Sequence, residues 1–161
     1  MPYKILFVCL GNICRSPSAE GIMNHLIQEQ GLQGKIQCDS AGTSSYHVGS
    51  APDSRMTLAA KQRGIALSGR ARQFTAEDFD AFDLIVAMDQ ANYRDILRMD
   101  PNETHSEKVR QMCEFASQHS DPEVPDPYYG GSDGFSHVVD LLLDACQGLL
   151  THIKQTASRP D

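Results

Sequence analysis

The chain contains 161 residues, 40% of them hydrophobic, which predicts a single domain over residues 1–161 with one core. Its formal net charge of -7 disfavours proteins that bind by neutralising the phosphates of nucleic acids or anionic lipids, and no segment resembles a membrane span. Because the N-terminus also lacks the pattern of a secretory signal, we expect a cytoplasmic protein with no nucleic-acid partner and no membrane insertion.

The first predicted element is a strand over residues 4–9, where apolar residues follow one another with no polar interruption after Lys4. Such a run is typical of a strand buried on both faces. A loop over residues 10–15 follows. We expect Ser16 to be the N-cap of the next helix and Pro17 to be its first residue, because a missing N–H costs nothing there. Helical spacing of apolar residues then continues towards Gly31.

The remaining elements alternate between strands and helices. The predicted strands cover residues 36–40, 83–89 and 109–112, the helices cover 53–63, 75–82 (with Thr75 as cap), 90–99 and 135–153, and long polar loops cover 41–53 and 117–134. This alternation predicts an α/β fold, a doubly wound four-stranded parallel sheet with helices on both faces. Ligands of such sheets bind beyond the carboxyl ends of the strands, which is where the loop after Cys9 must lie.

That loop places a thiol, Cys9, six positions before Arg15 and close to the start of a helix. Backbone N–H groups of a tight loop can point inward and bind an anion, and Gly11 and Asn12 both tolerate the positive φ values that this requires. The positive end of the helix dipole adds to the effect. Together these groups favour a thiolate and predict that Cys9 is a nucleophile. The alternative for Cys9 alone is an inert, buried small hydrophobe.

Two further residues of the loop suit a phosphoryl group. The planar guanidinium of Arg15 can bind two phosphoryl oxygens at once, and the hydroxyl of Ser16 can donate to the sulfur of Cys9. Substrate is therefore expected to contact the residues of the loop, Leu10, Gly11, Asn12, Ile13, Cys14 and Ser16.

Two runs carry a resemblance to a known family: Val8-Cys9-Leu10-Gly11-Asn12-Ile13-Cys14-Arg15-Ser16-Pro17 and Asp126-Pro127-Tyr128-Tyr129. They closely resemble motifs of the low-molecular-weight protein tyrosine phosphatases, and the likeness covers essentially the whole chain. It implies a hydrolase without metal or cofactor, with a phosphotyrosine phosphatase I-like fold, phosphotyrosine-containing proteins as substrates and inorganic phosphate as product. It also implies that Cys9 attacks phosphorus, that Arg15 binds the phosphoryl oxygens and that Asp126 is the general acid.

The loop over residues 117–134 contains a residue that the loop over residues 10–15 lacks, an acid that can protonate the leaving oxygen of a phenyl phosphate. Asp126 lies between two prolines, which restrict the backbone and limit how far its carboxyl group can move. The alternative is an ordinary turn aspartate. Tyr128 and Tyr129 are expected to form a flat apolar slot for a phenol ring, with Tyr46 from the first long loop as the opposite wall.

Other residues are expected to support or to regulate the loop. Asn12 and Ser40 match family positions that hold it in shape through hydrogen bonds. Where members of the family commonly have a histidine, this chain has Gly69, so the network is expected to lack one donor or to contain water instead. Cys14 either captures an oxidised Cys9 as a disulfide or is a buried spectator, and the sequence favours neither.

The remaining cysteines and the histidines argue against other chemistries. Five scattered cysteines suit a reducing compartment, and neither they nor the six histidines have the spacing of metal ligands, so each histidine is expected to be solvated. An arsenate reductase on the same scaffold needs a closely spaced redox pair, which Cys38, Cys113 and Cys146 do not form. A noncatalytic phosphate-binding module is the second alternative, although such a module needs no acid.

Overall fold

The computed structural model describes residues 2–128 and 130–157, apart from the side chains of Ser132 and Ala157. The strands are β1 (Tyr3–Cys9), β2 (Ile36–Gly42), β3 (Leu84–Ala87) and β4 (Val109–Gln111). The helices are α1 (Arg15–Glu29), α2 (Ser54–Lys61), α3 (Asp78–Ala81), α4 (Gln90–Arg98) and α5 (Ser132–Ala157), and two 3-10 helices, Ser106–Lys108 and Met112–Phe115, flank β4. Among the described residues, no helix has both the length and the apolarity needed to cross a membrane.

All four strands run parallel in one sheet, in the order β2-β1-β3-β4. This confirms the predicted doubly wound α/β fold. The apolar run of β1 makes it an inner strand, with side chains buried on both faces of the sheet. Ile5 and Phe7 pack on one face with residues of α1 and α5, whereas Leu6 and Val8 pack on the other with residues of α3 and α4.

Helix α1 begins earlier than the sequence predicts. It starts at Arg15, with Cys14 in the N-cap position. The hydroxyl of Ser16 is turned towards the sulfur of Cys9, 3.0 Å away, so the prediction of Ser16 as N-cap and Pro17 as first residue is wrong. Pro17 is the third helical residue, and its missing N–H is still harmless because the first four N–H groups of a helix have no partner within it.

Most of the other boundaries also differ from the predicted ones, by one to four residues. Asp53 is the N-cap of α2 and accepts hydrogen bonds from the backbone N–H groups of Arg55 and Met56 at 2.8 and 3.3 Å. Helix α3 begins at Asp78, three residues later than predicted, and Thr75 does not cap it; instead the Asp78 carboxylate accepts from Thr75 N at 2.8 Å. Strand β2 extends two residues further, so that its last residue pairs with Cys9 at the edge of the site.

Helix α5 packs closely on the 3-10 helix Met112–Phe115 at Gly148. A Cβ atom on Gly148 would overlap the carbonyl oxygen of Phe115, and backbone atoms cannot move aside as a flexible side chain can. We expect Gly148→Ala to lower the free energy of unfolding by about 1–3 kcal/mol, measured by urea denaturation.

The matched control for this prediction is Gly134→Ala in the same helix. A Cβ atom there would lie at an ordinary contact distance, 3.8 Å from Pro127 Cβ. Because alanine favours helix more than glycine does, the control should raise the free energy of unfolding by about 0.5–1 kcal/mol. Equal effects of the two substitutions would contradict the proposed overlap at Gly148.

Candidate active site

A cavity of about 390 Å³ lies at the carboxyl end of β1, where ligands of parallel sheets bind. It is lined by Cys9, Leu10, Gly11, Ile13, Cys14, Arg15, Ser44, Tyr46, His47, Asp126 and Tyr128. The structure thus brings together Cys9, Arg15 and Asp126 from two distant parts of the sequence. Two more of the predicted loop residues, Asn12 and Ser16, contact the sulfur of Cys9 from within the protein, whereas Tyr129 lies outside the described residues.

The sulfur of Cys9 is surrounded by groups that can donate hydrogen bonds. The backbone N–H of Asn12 points at it from 3.3 Å, and the hydroxyl of Ser16 lies 3.0 Å away. Of the two residues expected to have positive φ, Asn12 does (58°), whereas Gly11 does not. Glycine at position 11 has another effect, because a Cβ atom there would lie 2.9 Å from His47 Cδ2 and would displace the His47 ring.

The side chain of Asn12 fixes the hydroxyl of Ser16. Its amide nitrogen donates to Ser16 Oγ at 2.9 Å, and its amide oxygen accepts from Arg72 N at 2.9 Å. Since the hydroxyl oxygen accepts from Asn12, its own proton can be donated to the nearby sulfur of Cys9 or, at 3.4 Å, to Ala41 O. The arrangement suits a sulfur that carries negative charge.

Ser40 lies behind this loop and supports it less directly than expected. Its hydroxyl donates to Glu20 Oε1 on α1 at 2.6 Å. Burial raises the pKa of Glu20, and this outweighs the hydrogen bond from Ser40, which acts in the opposite direction. A second cavity of about 70 Å³ adjoins Gly69 and is also lined by Asn12, Glu20 and Ser40. Its volume and polar lining are suitable for water, but whether the network contains water near Gly69 or lacks one donor stays a prediction.

Arg15 is held in place by partners from two other segments. Its Nη1 donates to Asp89 Oδ2 at 2.6 Å and to Val124 O at 3.1 Å, and the side chain is only 3% exposed. Burial acts to lower the pKa of Arg15, but the charges of Cys9, Asp89 and Asp126 outweigh it and raise the pKa. The guanidinium is therefore charged and oriented before any substrate binds.

Sequence reasoning missed both partners of Arg15. Asp89 follows the end of β3 and caps α4 by accepting from Asn92 N at 2.7 Å, so an aspartate directly before the predicted helix over residues 90–99 was an available signal. The contribution of Val124 is a backbone carbonyl, which leaves no trace in the identity of the residue.

Asp126 lies at the mouth of the cavity. One carboxylate oxygen accepts from Tyr128 N at 3.0 Å, and the other lies 3.6 Å from Arg15 Nη2. The side chain is 33% exposed, so both solvent and a bound substrate can reach it. This position is suitable for proton transfer to an oxygen held above Cys9.

The walls of the cavity differ from the predicted aromatic slot. Tyr128 lines it as expected and faces the His47 ring at 5.9 Å between centroids. Tyr46 also lines the cavity, but it is 85% exposed and contacts the edge of His47 at 4.7 Å. The wall opposite Tyr128 is therefore mainly His47, with Tyr46 at the rim. Arg55 lies over the outer side of Tyr128, 5.2 Å from the ring centroid.

Four of the six histidines, expected to be solvated surface residues, are partly exposed but also have specific partners in the fold, and His137 is still 43% exposed. His47 lines the cavity, His105 stacks on Phe79 at 5.1 Å, and His119 and His137 each bond to an aspartate. Contacts between distant segments of the chain determine these environments, and the local sequence does not reveal them. Within residues 2–128 and 130–157, no group of three or more histidine, cysteine or acidic side chains has the geometry to bind a metal ion.

Cys14 faces the same cavity but should be far less reactive than a free cysteine. Burial raises its pKa to about 12, with further contributions from Asp53 and Cys9. Because each pKa unit lowers the thiolate fraction tenfold, we expect iodoacetamide to modify Cys14 about 10³-fold more slowly than an ordinary cysteine at neutral pH. Mass spectrometry of the cysteine-containing peptides measures this. Rapid modification of Cys14 would instead favour its role as a partner for oxidised Cys9.

The comparisons with known proteins agree with this geometry. The family model described as low molecular weight phosphotyrosine protein phosphatase matches residues 4–159. A Synechocystis relative is 61% identical over 93% of this chain and 96% of its own, and a low molecular weight phosphotyrosine protein phosphatase of Schizosaccharomyces pombe is 43% identical over 93% and 96%. The crystal structure of a protein tyrosine phosphatase from Entamoeba histolytica superimposes with a TM-score of 0.93, at 46% identity over 96% of this chain and 99% of that one. The chain therefore belongs to the low molecular weight phosphotyrosine protein phosphatase family, whose general mechanism passes through a phosphocysteine intermediate.

Proposed function

We propose that this protein hydrolyses phosphotyrosine in protein substrates, with Cys9 as the nucleophile, Arg15 as the phosphate-binding group and Asp126 as the general acid. One observation carries the proposal: the sulfur of Cys9, a charged guanidinium and an accessible carboxylate face the same cavity, contributed by distant segments. We also propose that residues 1–161 act as one domain in the cytoplasm, without a nucleic-acid partner or membrane insertion. The acidic net charge of -7 supports the exclusion of nucleic acid.

In the first step, the thiolate of Cys9 attacks phosphorus and the bond from phosphorus to the tyrosyl oxygen breaks. Asp126 gives its proton to that oxygen, so tyrosine leaves as a neutral phenol. The guanidinium of Arg15 and the N–H groups of the loop bind the other phosphoryl oxygens throughout. Because Asp89 already orients Arg15 at 2.6 Å, little reorganisation is needed at this stage.

In the second step, water attacks the phosphorus of phosphocysteine and the bond from sulfur to phosphorus breaks. The Asp126 carboxylate, now deprotonated, takes a proton from the water, and inorganic phosphate is released. Ser16, 3.0 Å from the sulfur, stabilises the departing thiolate with a hydrogen bond. The enzyme returns to its starting state without a metal or a cofactor.

The alternative of an arsenate reductase has little support. That chemistry passes a disulfide to further cysteines, which must react as thiolates. Burial raises the pKa of Cys38 and Cys146, and it raises that of Cys113 to about 11. A noncatalytic phosphate-binding module would use the loop and Arg15, but it would not need a carboxylate at the mouth of the cavity.

The proposal is tested by trapping the intermediate. A phosphotyrosine peptide labelled with ³²P is mixed with the enzyme in the presence of EDTA, and the reaction is quenched in acid within one turnover. We expect the label on the peptide that contains Cys9, in an amount that approaches one phosphate per active enzyme. Turnover without label on Cys9, or loss of turnover in EDTA, would refute the mechanism.

A further inference from the structure

The segment over residues 116–131 carries Asp126, and its described residues, which exclude Tyr129, belong to neither a helix nor a strand. A general acid must come within hydrogen-bond reach of the leaving oxygen, so the position of this segment matters to the reaction. The contacts of Asp126 itself, with Tyr128 N at 3.0 Å and Arg15 Nη2 at 3.6 Å, lie at the open mouth of the cavity. Contacts further back along the segment must therefore contribute to its placement.

Two such contacts join the segment to α5 in a reciprocal manner. His119 of the segment bonds through Nδ1 to Asp144 Oδ2 of the helix at 2.9 Å, and His137 of the helix bonds through Nε2 to Asp121 Oδ2 of the segment at 2.8 Å. Each element thus contributes one imidazole and one carboxylate. The two rings meet edge to face, with 5.9 Å between their centroids. We refer to these four residues as the histidine clasp.

The carboxylates of the clasp are ionised and well bonded. Asp144 also accepts from the backbone N–H groups of Ser117 and Gln118 at 3.0 and 2.9 Å. Burial acts to raise the pKa of Asp144, but the bonds from His119 and from these two N–H groups lower it to about 2. The bond from His137 likewise lowers the pKa of Asp121. Hydrogen bonds to ionised carboxylates are shorter and stronger than those between neutral groups, and the effect is larger at Asp144, whose side chain is 7% exposed, than at Asp121, whose side chain is 27% exposed.

The clasp is connected to Asp126 through a short and restricted piece of chain. Val124 is fully buried; its N–H donates to Met88 O at 2.9 Å, and its carbonyl accepts from Arg15 Nη1 at 3.1 Å. Asp126 follows two residues later between two prolines, which limit the backbone conformations available. Loss of the clasp removes an attachment on the N-terminal side of Asp126 and leaves Val124 to hold this piece of chain, whereas Arg15 keeps its bond to Asp89 Oδ2 at 2.6 Å and hence its orientation.

We propose that His119 and His137 are positioning residues, which hold the segment over residues 116–131 on α5 so that Asp126 reaches the leaving oxygen. The inference rests on the proposed role of Asp126 as general acid. It assigns no contact with substrate to either histidine. It predicts that the clasp affects departure of the phenol much more than binding of the phosphoryl group.

The test compares His119→Ala and His137→Ala with wild type on aryl phosphates that range from p-nitrophenyl phosphate, with a good leaving group, to phenyl phosphate, with a poor one. The parameter is kcat/KM, which includes the steps up to departure of the phenol. A displaced acid should lower kcat/KM about tenfold for phenyl phosphate and less than about twofold for p-nitrophenyl phosphate. Inhibition by inorganic phosphate should not change. An equal fall for all esters, or no fall, would overturn the proposal.

Conservative variants separate positioning from general damage to the fold. In His119→Asn the amide nitrogen can replace Nδ1, and in His137→Gln it can replace Nε2, so both should restore most of the lost activity. His25→Ala is the matched control, because His25 is exposed on α1 and pairs with Glu29 of the same helix. It should leave kcat/KM unchanged for every ester. If both conservative variants fold normally but do not restore activity, the proposed positioning role of His119 and His137 is contradicted.

A double-mutant cycle with Asp126→Asn distinguishes failure of this inference from failure of the proposed function. If Asp126 is the acid and the clasp acts through it, His119→Ala should cause little further loss on phenyl phosphate once Asp126 has been replaced. Two independent, additive losses would overturn the inference and leave the acid in place. If the loss of kcat/KM caused by Asp126→Asn alone is the same for good and poor leaving groups, the proposed role of Asp126 as general acid fails instead.

Discussion

Cys9→Ser should reduce the turnover of p-nitrophenyl phosphate by at least about 10⁴-fold, the largest effect expected of any single substitution in this protein. The surroundings of the sulfur, Asn12 N–H at 3.3 Å and Ser16 Oγ at 3.0 Å, can donate hydrogen bonds to a negatively charged sulfur. A serine hydroxyl is far less acidic than a thiol, so the same environment cannot produce a comparable nucleophile. The substitution changes one atom and should leave the shape of the loop intact.

Binding provides the internal check on this variant. The loop N–H groups and the charged Arg15 remain, so Cys9→Ser should still bind inorganic phosphate, which isothermal titration calorimetry measures. The matched control is Cys113→Ser, the same change at a half-buried cysteine on the 3-10 helix Met112–Phe115, and it should keep full turnover. Substantial activity in Cys9→Ser, or a comparable loss in Cys113→Ser, would contradict the assignment of the nucleophile.

The site residues that could be predicted from the sequence are those that lie close together along the chain. Cys9, Asn12, Arg15 and Ser16 lie in one short loop between a strand and a helix, so a contiguous run of sequence was sufficient to expect them together. Even there, local reasoning misplaced the start of α1. The hydroxyl of Ser16, a good capping group in isolation, is turned towards the sulfur of Cys9 in the folded protein.

The parts that the sequence did not reveal come from contacts between distant segments. Asp89 orients Arg15 across the end of the sheet, and His47 forms a wall because the backbone at Gly11 leaves room for its ring. His119 and His137 look like scattered surface residues until the segment over residues 116–131 folds onto α5. The fold itself was predictable because hydrophobic patterns typical of strands alternate along the chain with patterns typical of helices. Few arrangements other than a parallel sheet with helices on both faces fit this alternation.

Asp126→Asn should lower kcat/KM for phenyl phosphate by about 10²- to 10⁴-fold, the usual contribution of a general acid. The amide has nearly the shape of the carboxyl group and can keep the bond from Tyr128 N, but it has no proton to give to the leaving oxygen. The loss should be much smaller for p-nitrophenyl phosphate, because that phenol leaves readily as an anion. Steady-state kinetics across a series of substituted phenyl phosphates measures this dependence.

Asp89→Asn is the control that separates the two carboxylates near Arg15. Asp89 lies 2.6 Å from Nη1 and orients the guanidinium, whereas Asp126 lies 3.6 Å from Nη2 at the mouth of the cavity. Arg15 binds the phosphoryl oxygens of every substrate, so Asp89→Asn should slow all the esters by a similar factor and weaken inhibition by phosphate. Asp126→Asn should slow the hydrolysis of each ester more strongly the more basic its leaving group is. It should not weaken phosphate binding, because it removes a negative charge beside Arg15. The same pattern in both variants would mean that Asp126 acts through Arg15 and is not the source of the proton.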